Sequence, residues 1–79
     1  AETSDDEMLK AKAYHNIGNS FLESKKYAES IMAYKNSLKL NPDDDETRYN
    51  LAYALSKLQQ QQQQQKQDKD KDKDKDKDK

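Results

Sequence analysis

One phrase of this chain occurs twice, and its spacing limits what the chain can fold into. A shift of 34 residues lays Asn16 on Asn50, Ile17 on Leu51, Gly18 on Ala52 and Phe21 on Leu55. A recurrence of this period marks a supersecondary unit that cannot bury its apolar face alone and stacks on a copy of itself. The expected fold is therefore an all-α, α-solenoid-like array, in which a third helix restates the first.

The periodicity inside the unit agrees. Leu9, Ala13, Ile17 and Phe21, with Tyr14 and Leu22 alongside, recur every three or four residues and predict one amphipathic helix with an apolar stripe. Ser4 can cap it, with Glu7 three residues on reaching back and Asp5 and Asp6 set against the positive end of the helix dipole. A tight turn through Ser24, Lys25 and Lys26 leads to a second stripe of Tyr27, Ile31, Tyr34 and Leu38, with the small residues Ser30 and Ser37 between. Pro42 has no backbone donor and turns Asn41 away from helical angles, so this helix stops near Leu40. Asp43 to Glu46 supply caps and first-turn carboxylates for the third helix, whose stripe is Leu51, Ala52, Leu55 and Leu58. The expected helices span about residues 5–23, 27–40 and 44–60, and the short connections make neighbours antiparallel.

Composition narrows the function. With 79 residues, 30% of them hydrophobic, the chain supports one small domain and no large catalytic interior. Cysteine is absent, so His15 would be left alone to hold a metal, and one imidazole makes no site. No apolar run approaches the ~20 residues that cross a bilayer, so no membrane insertion of this segment is expected. Residues 1–58 carry eight basic and ten acidic groups and residues 59–79 carry seven and six. Neither part has the single-sign field that draws nucleic acid, so no nucleic-acid partner is expected.

The run Tyr14-x-x-Ile17-Gly18-x-x-Phe21, then Ser30-x-x-x-Tyr34, then Pro42, resembles the tetratricopeptide repeat signature. The resemblance covers Ala11 to Asp44 as one repeat and Asp45 to Leu58 as the opening helix of the next: an antiparallel helix hairpin plus a third helix, one and a half repeats in residues 1–58. Gly18 and Ser30 are small because the helices of a repeat cross closely there, with Phe21, Tyr27 and Tyr34 filling the space beside them. Two positions depart from the pattern. Lys25 stands where a turn glycine is frequent and would carry about 1 kcal/mol of strain if left-handed. Arg48 stands where a large apolar residue is usual, as suits a more solvent-facing edge.

A narrower likeness joins Ala13-Tyr14-His15-Asn16-Ile17-Gly18-Asn19, Asn41-Pro42-Asp43 and Thr47-Arg48-Tyr49-Asn50-Leu51-Ala52, ahead of glutamine and charged runs. In these phrases the chain is similar to tetratricopeptide proteins of the Bacteroides aerotolerance operon. That resemblance implies a cell-envelope or periplasmic assembly with von Willebrand factor type A partners.

The family resemblance implies a scaffold rather than an enzyme, without a cofactor, which binds a protein or peptide partner in a concave groove lined by the first helices of successive repeats. The groove residues it points to are Lys12, His15, Asn16 and Asn19 on the first helix, and Glu46, Tyr49, Asn50 and Tyr53 on the third. Asn19 and Asn50 match the asparagines that hold a peptide's terminal carboxylate in chaperone-binding members. His15 stands where those members have a lysine, and the remaining basic residues of that clamp have no counterpart, which disfavours chaperone tails. Asparagine amides can still bond a peptide backbone, with Tyr49 and Tyr53 giving stacking area. The competing view makes Asn16, Asn19 and Asn50 solvated polar residues of an outer face.

Other features point to less. His15 is of the type that can switch charge near neutrality, but an exposed helical histidine is the plainer reading. Asp43, Asp44, Asp45 and Glu46 lack the spacing and glycine of a calcium loop and read as helix-start electrostatics. No Ser, His and carboxylate set has a catalytic elbow's flanking glycines. From Gln59 the apolar face stops, and from Asp68 lysine and aspartate alternate, so that residues four apart repel. Residues 59–79 are expected to form a disordered, low-complexity C-terminal tail, a solvated spacer. The sequence reads as a piece of a longer protein. Because one and a half repeats leave apolar surface uncovered, with Tyr53, Ala54 and Leu58 as the expected strip, homo-oligomerisation is the alternative function.

Overall fold

The computed structural model describes the backbone of residues 4–77 and the side chains of residues 4–64. The chain is all-α: α1 (Asp5–Glu23), α2 (Tyr27–Leu40) and α3 (Asp45–Lys77) follow in order, with no strand among the described residues.

Local chemistry sets each end. Ser4 has extended backbone and its hydroxyl accepts the Glu7 amide at 3.2 Å, with Asp5, Asp6 and Glu7 in the first turn of α1. At the other end the Lys26 amide donates to the Phe21 carbonyl at 2.8 Å and the Lys25 amide to that of Leu22 at 3.0 Å. This is the paired closure that requires a left-handed residue just beyond the helix. Lys25 takes that conformation, at φ 62°. The second helix ends as the proline requires: the Asn41 amide closes on the Ser37 carbonyl at 2.9 Å, and Asn41 itself turns out of helical angles. Asp44 then caps α3, accepting the Thr47 amide at 3.2 Å on Oδ1 and the Thr47 hydroxyl at 2.6 Å on Oδ2.

Cross-helix contacts give the topology. Ser30 Oγ donates to the Gly18 carbonyl at 2.9 Å and Ser37 Oγ to the Ala11 carbonyl at 2.7 Å. As numbers rise on α2 they fall on α1, so the two helices are antiparallel. His15 meets Thr47 and Asn19 meets Asn50. Numbers rise together there, so α3 runs parallel to α1, and α2 packs against both. The two serines are more than spacers: each is fully buried, and each satisfies its hydroxyl across the closest crossing. Gly18 is needed at that crossing, because a β-carbon there would lie 2.5 Å from Tyr34 Cε1 and 2.6 Å from Cδ1.

The core is smaller than the stripes suggested. Ile31, Tyr34 and Ala54 form its centre, with Leu22, Leu51 and Leu58 packed around them. Along α1 the buried positions are Ala11 and Gly18, whereas Leu9 is 67% and Ile17 45% exposed and Ala13 is also exposed. The apolar stripe of α1 therefore comprises two faces, of which α2 covers the small-residue one. The same correction applies to α3. Leu51 and Leu58 pack inward while Ala52 and Leu55 are exposed, and Ala54, expected on an open strip, is completely buried against α2.

Helix α3 runs past the expected end near residue 60, since no proline or glycine interrupts the glutamines, lysines and aspartates that follow Leu58. Gln59 to Gln64 are all exposed. The expectation of a disordered tail falls mostly on side chains 65–79, which lie outside the described residues.

Candidate functional site

Two short rows of side chains lie side by side where α1 and α3 run parallel. On α1 the spacing of Lys12, His15, Asn16 and Asn19 keeps them on adjoining lines of one helix surface, as does that of Glu46, Tyr49, Asn50 and Tyr53 on α3. The structure joins the rows at two points. Asn50 Nδ2 donates to Asn19 Oδ1 at 3.3 Å. His15 Nδ1 lies 2.6 Å from Thr47 Oγ1, and His15 Nε2 lies 3.9 Å from Glu46 Oε1. Lys12, Asn16, Tyr49 and Tyr53 remain exposed, Tyr49 by 74%, and the Lys57 ammonium sits 5.5 Å from the Tyr53 ring centroid.

Asn19 and Asn50 are thus neither free clamps nor solvated bystanders. Asn19 Oδ1 also accepts from the hydroxyl of Tyr34, the fully buried ring at the core's centre. Burial pushes the Tyr34 phenol above its ordinary pKa, which keeps it a donor. With Oδ1 doubly engaged, the side of Asn19 left to a ligand is its amide, a donor for peptide carbonyls.

His15 departs from its expected exposure. Its side chain is only 13% exposed, tilted against Tyr34 with ring centroids 5.9 Å apart. Thr47 explains why: its hydroxyl gives its one proton to Asp44, so Oγ1 can only accept from His15. That fixes the hydrogen on Nδ1 in the neutral ring and turns Nε2 toward Glu46. The hydrogen bond from the Thr47 hydroxyl holds the Asp44 carboxyl below the usual carboxylate range; burial opposes this, while the Thr47 amide and the charge of the His15 ring when protonated reinforce it. Hydroxyl, imidazole and carboxylate here resemble the parts of a hydrolytic triad in kind alone. Thr47 is completely buried and its proton is committed to the cap, so no substrate carbonyl can reach it.

Beside this cluster lies a cavity of about 580 Å³, between the first half of α1 and the start of α3. Lys12, His15 and Glu46 line it, together with Asp5, Met8 and Leu9, which the sequence reading did not single out as site residues. Asn16, Asn19, Tyr49, Asn50 and Tyr53 lie outside it. Asp44, expected only among the capping carboxylates, and Thr47 were not expected to support His15; the signal was present in the spacing of an aspartate three residues before a threonine at a helix start. Among the described residues no group of His, Asp and Glu could hold a metal ion.

The profile of a protein family described as TPR repeat matches residues 18–59, more than half of the chain. No curated protein and no solved structure matches it.

Proposed function

This chain belongs to the tetratricopeptide repeat family, and we propose that it is a protein-binding scaffold whose partner lies across the paired rows of α1 and α3. Membership of the family supports the general role of a non-enzymatic interaction module. The observation that carries the finer reading is the pairing of Asn19 with Asn50 at 3.3 Å, which holds two polar rows at fixed register with exposed Asn16, Tyr49 and Tyr53 beside them. A rigid polar floor flanked by aromatic rings suits an extended peptide, because its donors are oriented before binding and the rings offer area at little entropic cost. The narrower aerotolerance resemblance supplies one class of partner to try, a von Willebrand factor type A domain.

The test uses surface positions only, since Asn19 supports the core. Asn16→Ala with Tyr49→Ala should leave the circular dichroism spectrum unchanged and reduce recovery of partners by the immobilised chain. Unchanged recovery would remove the groove from the account.

A second reading has its own observation. Tyr14, Ile17, Phe21 and Met32 line a shallow apolar depression on the other side of the hairpin, and Met32 is 67% exposed. Such a patch supports self-association as a structural element. Sedimentation over a wide concentration range, repeated with Ile17→Asn, tests it: a monomer throughout removes this reading.

A further inference from the structure

The cavity between α1 and α3 has a chemistry distinct from the asparagine rows, and it narrows the partner. Its floor is apolar, formed by Met8, Leu9 and Ala11, with Met8 and Leu9 open to solvent. Its volume of about 580 Å³ falls in the range of ligand-sized clefts. Its rim is acidic: Asp5, Asp44 and Glu46 line it against a single Lys12.

The parallel course of α1 and α3 puts both helix starts at this end, so the local charge has to be weighed. Asp5, Asp6, Glu7, Asp43, Asp44, Asp45 and Glu46 are all here. Against them stand Lys10, Lys12, Lys39 in the last turn of α2, and Arg48, whose guanidinium bonds Asp45 and the Pro42 carbonyl; the two helix N-termini add about half a positive charge each and the end of α2 about half a negative one. About two to three negative charges remain uncompensated, within roughly a Debye length of the cavity mouth. Asp44 has already committed both carboxylate oxygens to Thr47, so Asp5 and Glu46 are the free acceptors.

Resting on the peptide-binding reading above, we propose that this cavity takes a basic-apolar peptide segment, one large apolar side chain entering over Met8 and Leu9 with lysine or arginine on either side facing Asp5 and Glu46. The same field repels a segment that ends in free carboxylate or carries acidic residues. Guanidinium and ammonium groups at the rim stay hydrated, so they contribute selectivity and encounter rate, and the apolar side chain contributes most of the residence time.

The experiment titrates the intact chain with three short fluorescent peptides: lysines flanking a leucine, glutamates flanking a leucine, and lysines flanking a serine. Binding is read by anisotropy and by amide shifts. The lysine–leucine peptide should bind with shifts at Met8, Leu9 and Glu46, the other two about tenfold or more weakly, and added salt should weaken the first. Glu46→Lys and Leu9→Ser, both at exposed positions, should each reduce its affinity about tenfold with the circular dichroism spectrum unchanged, although Glu46→Lys lowers the melting temperature by a few degrees because it puts a cation in the first turn of α3. Equal binding of the glutamate peptide overturns the charge assignment, and equal binding of the serine peptide overturns the apolar floor. Binding with shifts confined to Asn16, Tyr49 and Tyr53 overturns this site while sparing the broader groove. No binding by any of the peptides removes the site and weakens the groove with it.

Discussion

Gly18→Ala tests the closest crossing in the fold, and two effects of opposite sign compete in it. On helix propensity alone the change should stabilise by about 1 kcal/mol. The structure argues otherwise. The new β-carbon would stand 2.5, 2.6 and 3.0 Å from three carbons of the Tyr34 ring, where ordinary contact begins at 3.4 Å. The ring must therefore retreat by about 1 Å in a packed interior where such strain costs about 1–3 kcal/mol. Tyr34 is completely buried and its hydroxyl is bound to Asn19, so that retreat also stretches a hydrogen bond contributing about 1 kcal/mol. The penalties exceed the gain, and the net loss is about 1–3 kcal/mol. For a chain of this size that lowers the thermal midpoint by roughly 5–20 °C, readable by far-ultraviolet circular dichroism. Ala52→Gly is the internal control, because Ala52 occupies the equivalent place in the next repeat but is exposed; it should cost only the propensity term of about 1 kcal/mol. A Gly18→Ala midpoint equal to or above that of the parent would refute the close crossing.

Three further outcomes follow from single residues. Lys25→Gly should raise stability by about 1 kcal/mol in urea melts, because glycine takes φ 62° without the steric cost borne by lysine; a loss would mean that the lysine side chain has a role the turn geometry does not show. Asp44 has a folded pKa below its ordinary 3.8, so its contribution is complete above that value and lost as pH falls through the folded pKa. Melts between about pH 5 and pH 2 should show this acid-side loss diminished in Asp44→Asn, which keeps an acceptor but does not titrate there. Finally, Leu51→Ala should cost about 2–3 kcal/mol and Ile17→Ala less than about 1, although the two occupy the same place in the repeat, because Leu51 packs on the core and Ile17 is 45% exposed. Equal costs in chemical denaturation would contradict the packing described.

Helix order, the three helix starts and the ends of α1 and α2 were legible from the sequence because each rests on a local rule, whereas the end of α3 was not. Pro42 acts through its missing donor, Ser4 and Asp44 through side-chain oxygens that accept amide hydrogens at helix starts, and the turn at Lys25 through a backbone shape that only a left-handed residue completes. The small size of Gly18 and Ser30 was legible for the same reason, as a demand of two surfaces meeting. Which half of an apolar stripe is buried was not, because Ala11 and Leu9 have similar periodicity and only the position of α2 separates them. The site was harder still. His15 looked exposed because its partner Thr47 is 32 residues away and bonded in turn to Asp44. Asn19 was expected to face a partner, and its bond to Tyr34 was not legible because it depends on a ring arriving from another helix.

The repeat explains why equivalent residues have unlike surroundings here. In a stacked array one side of each first helix faces its own partner and the other faces the unit before it. Gly18 and Ala52 belong to the first side: α2 presses Tyr34 onto Gly18, while Ala52 has no such ring among the described residues. Ile17 and Leu51 belong to the second: α2 precedes α3 and covers Leu51, whereas no described helix precedes α1 and Ile17 is open. On the self-association reading proposed above, the exposed apolar residues of α1 and α3 would serve as two halves of one kind of interface. The asparagine rows lie on a third side, where α1 and α3 meet over the Tyr34 hydroxyl of α2. The proposed binding and the proposed association would therefore use different residues, so Ile17→Asn should abolish any concentration-dependent sedimentation while leaving Asn16, Asn19, Tyr49 and Asn50 in place.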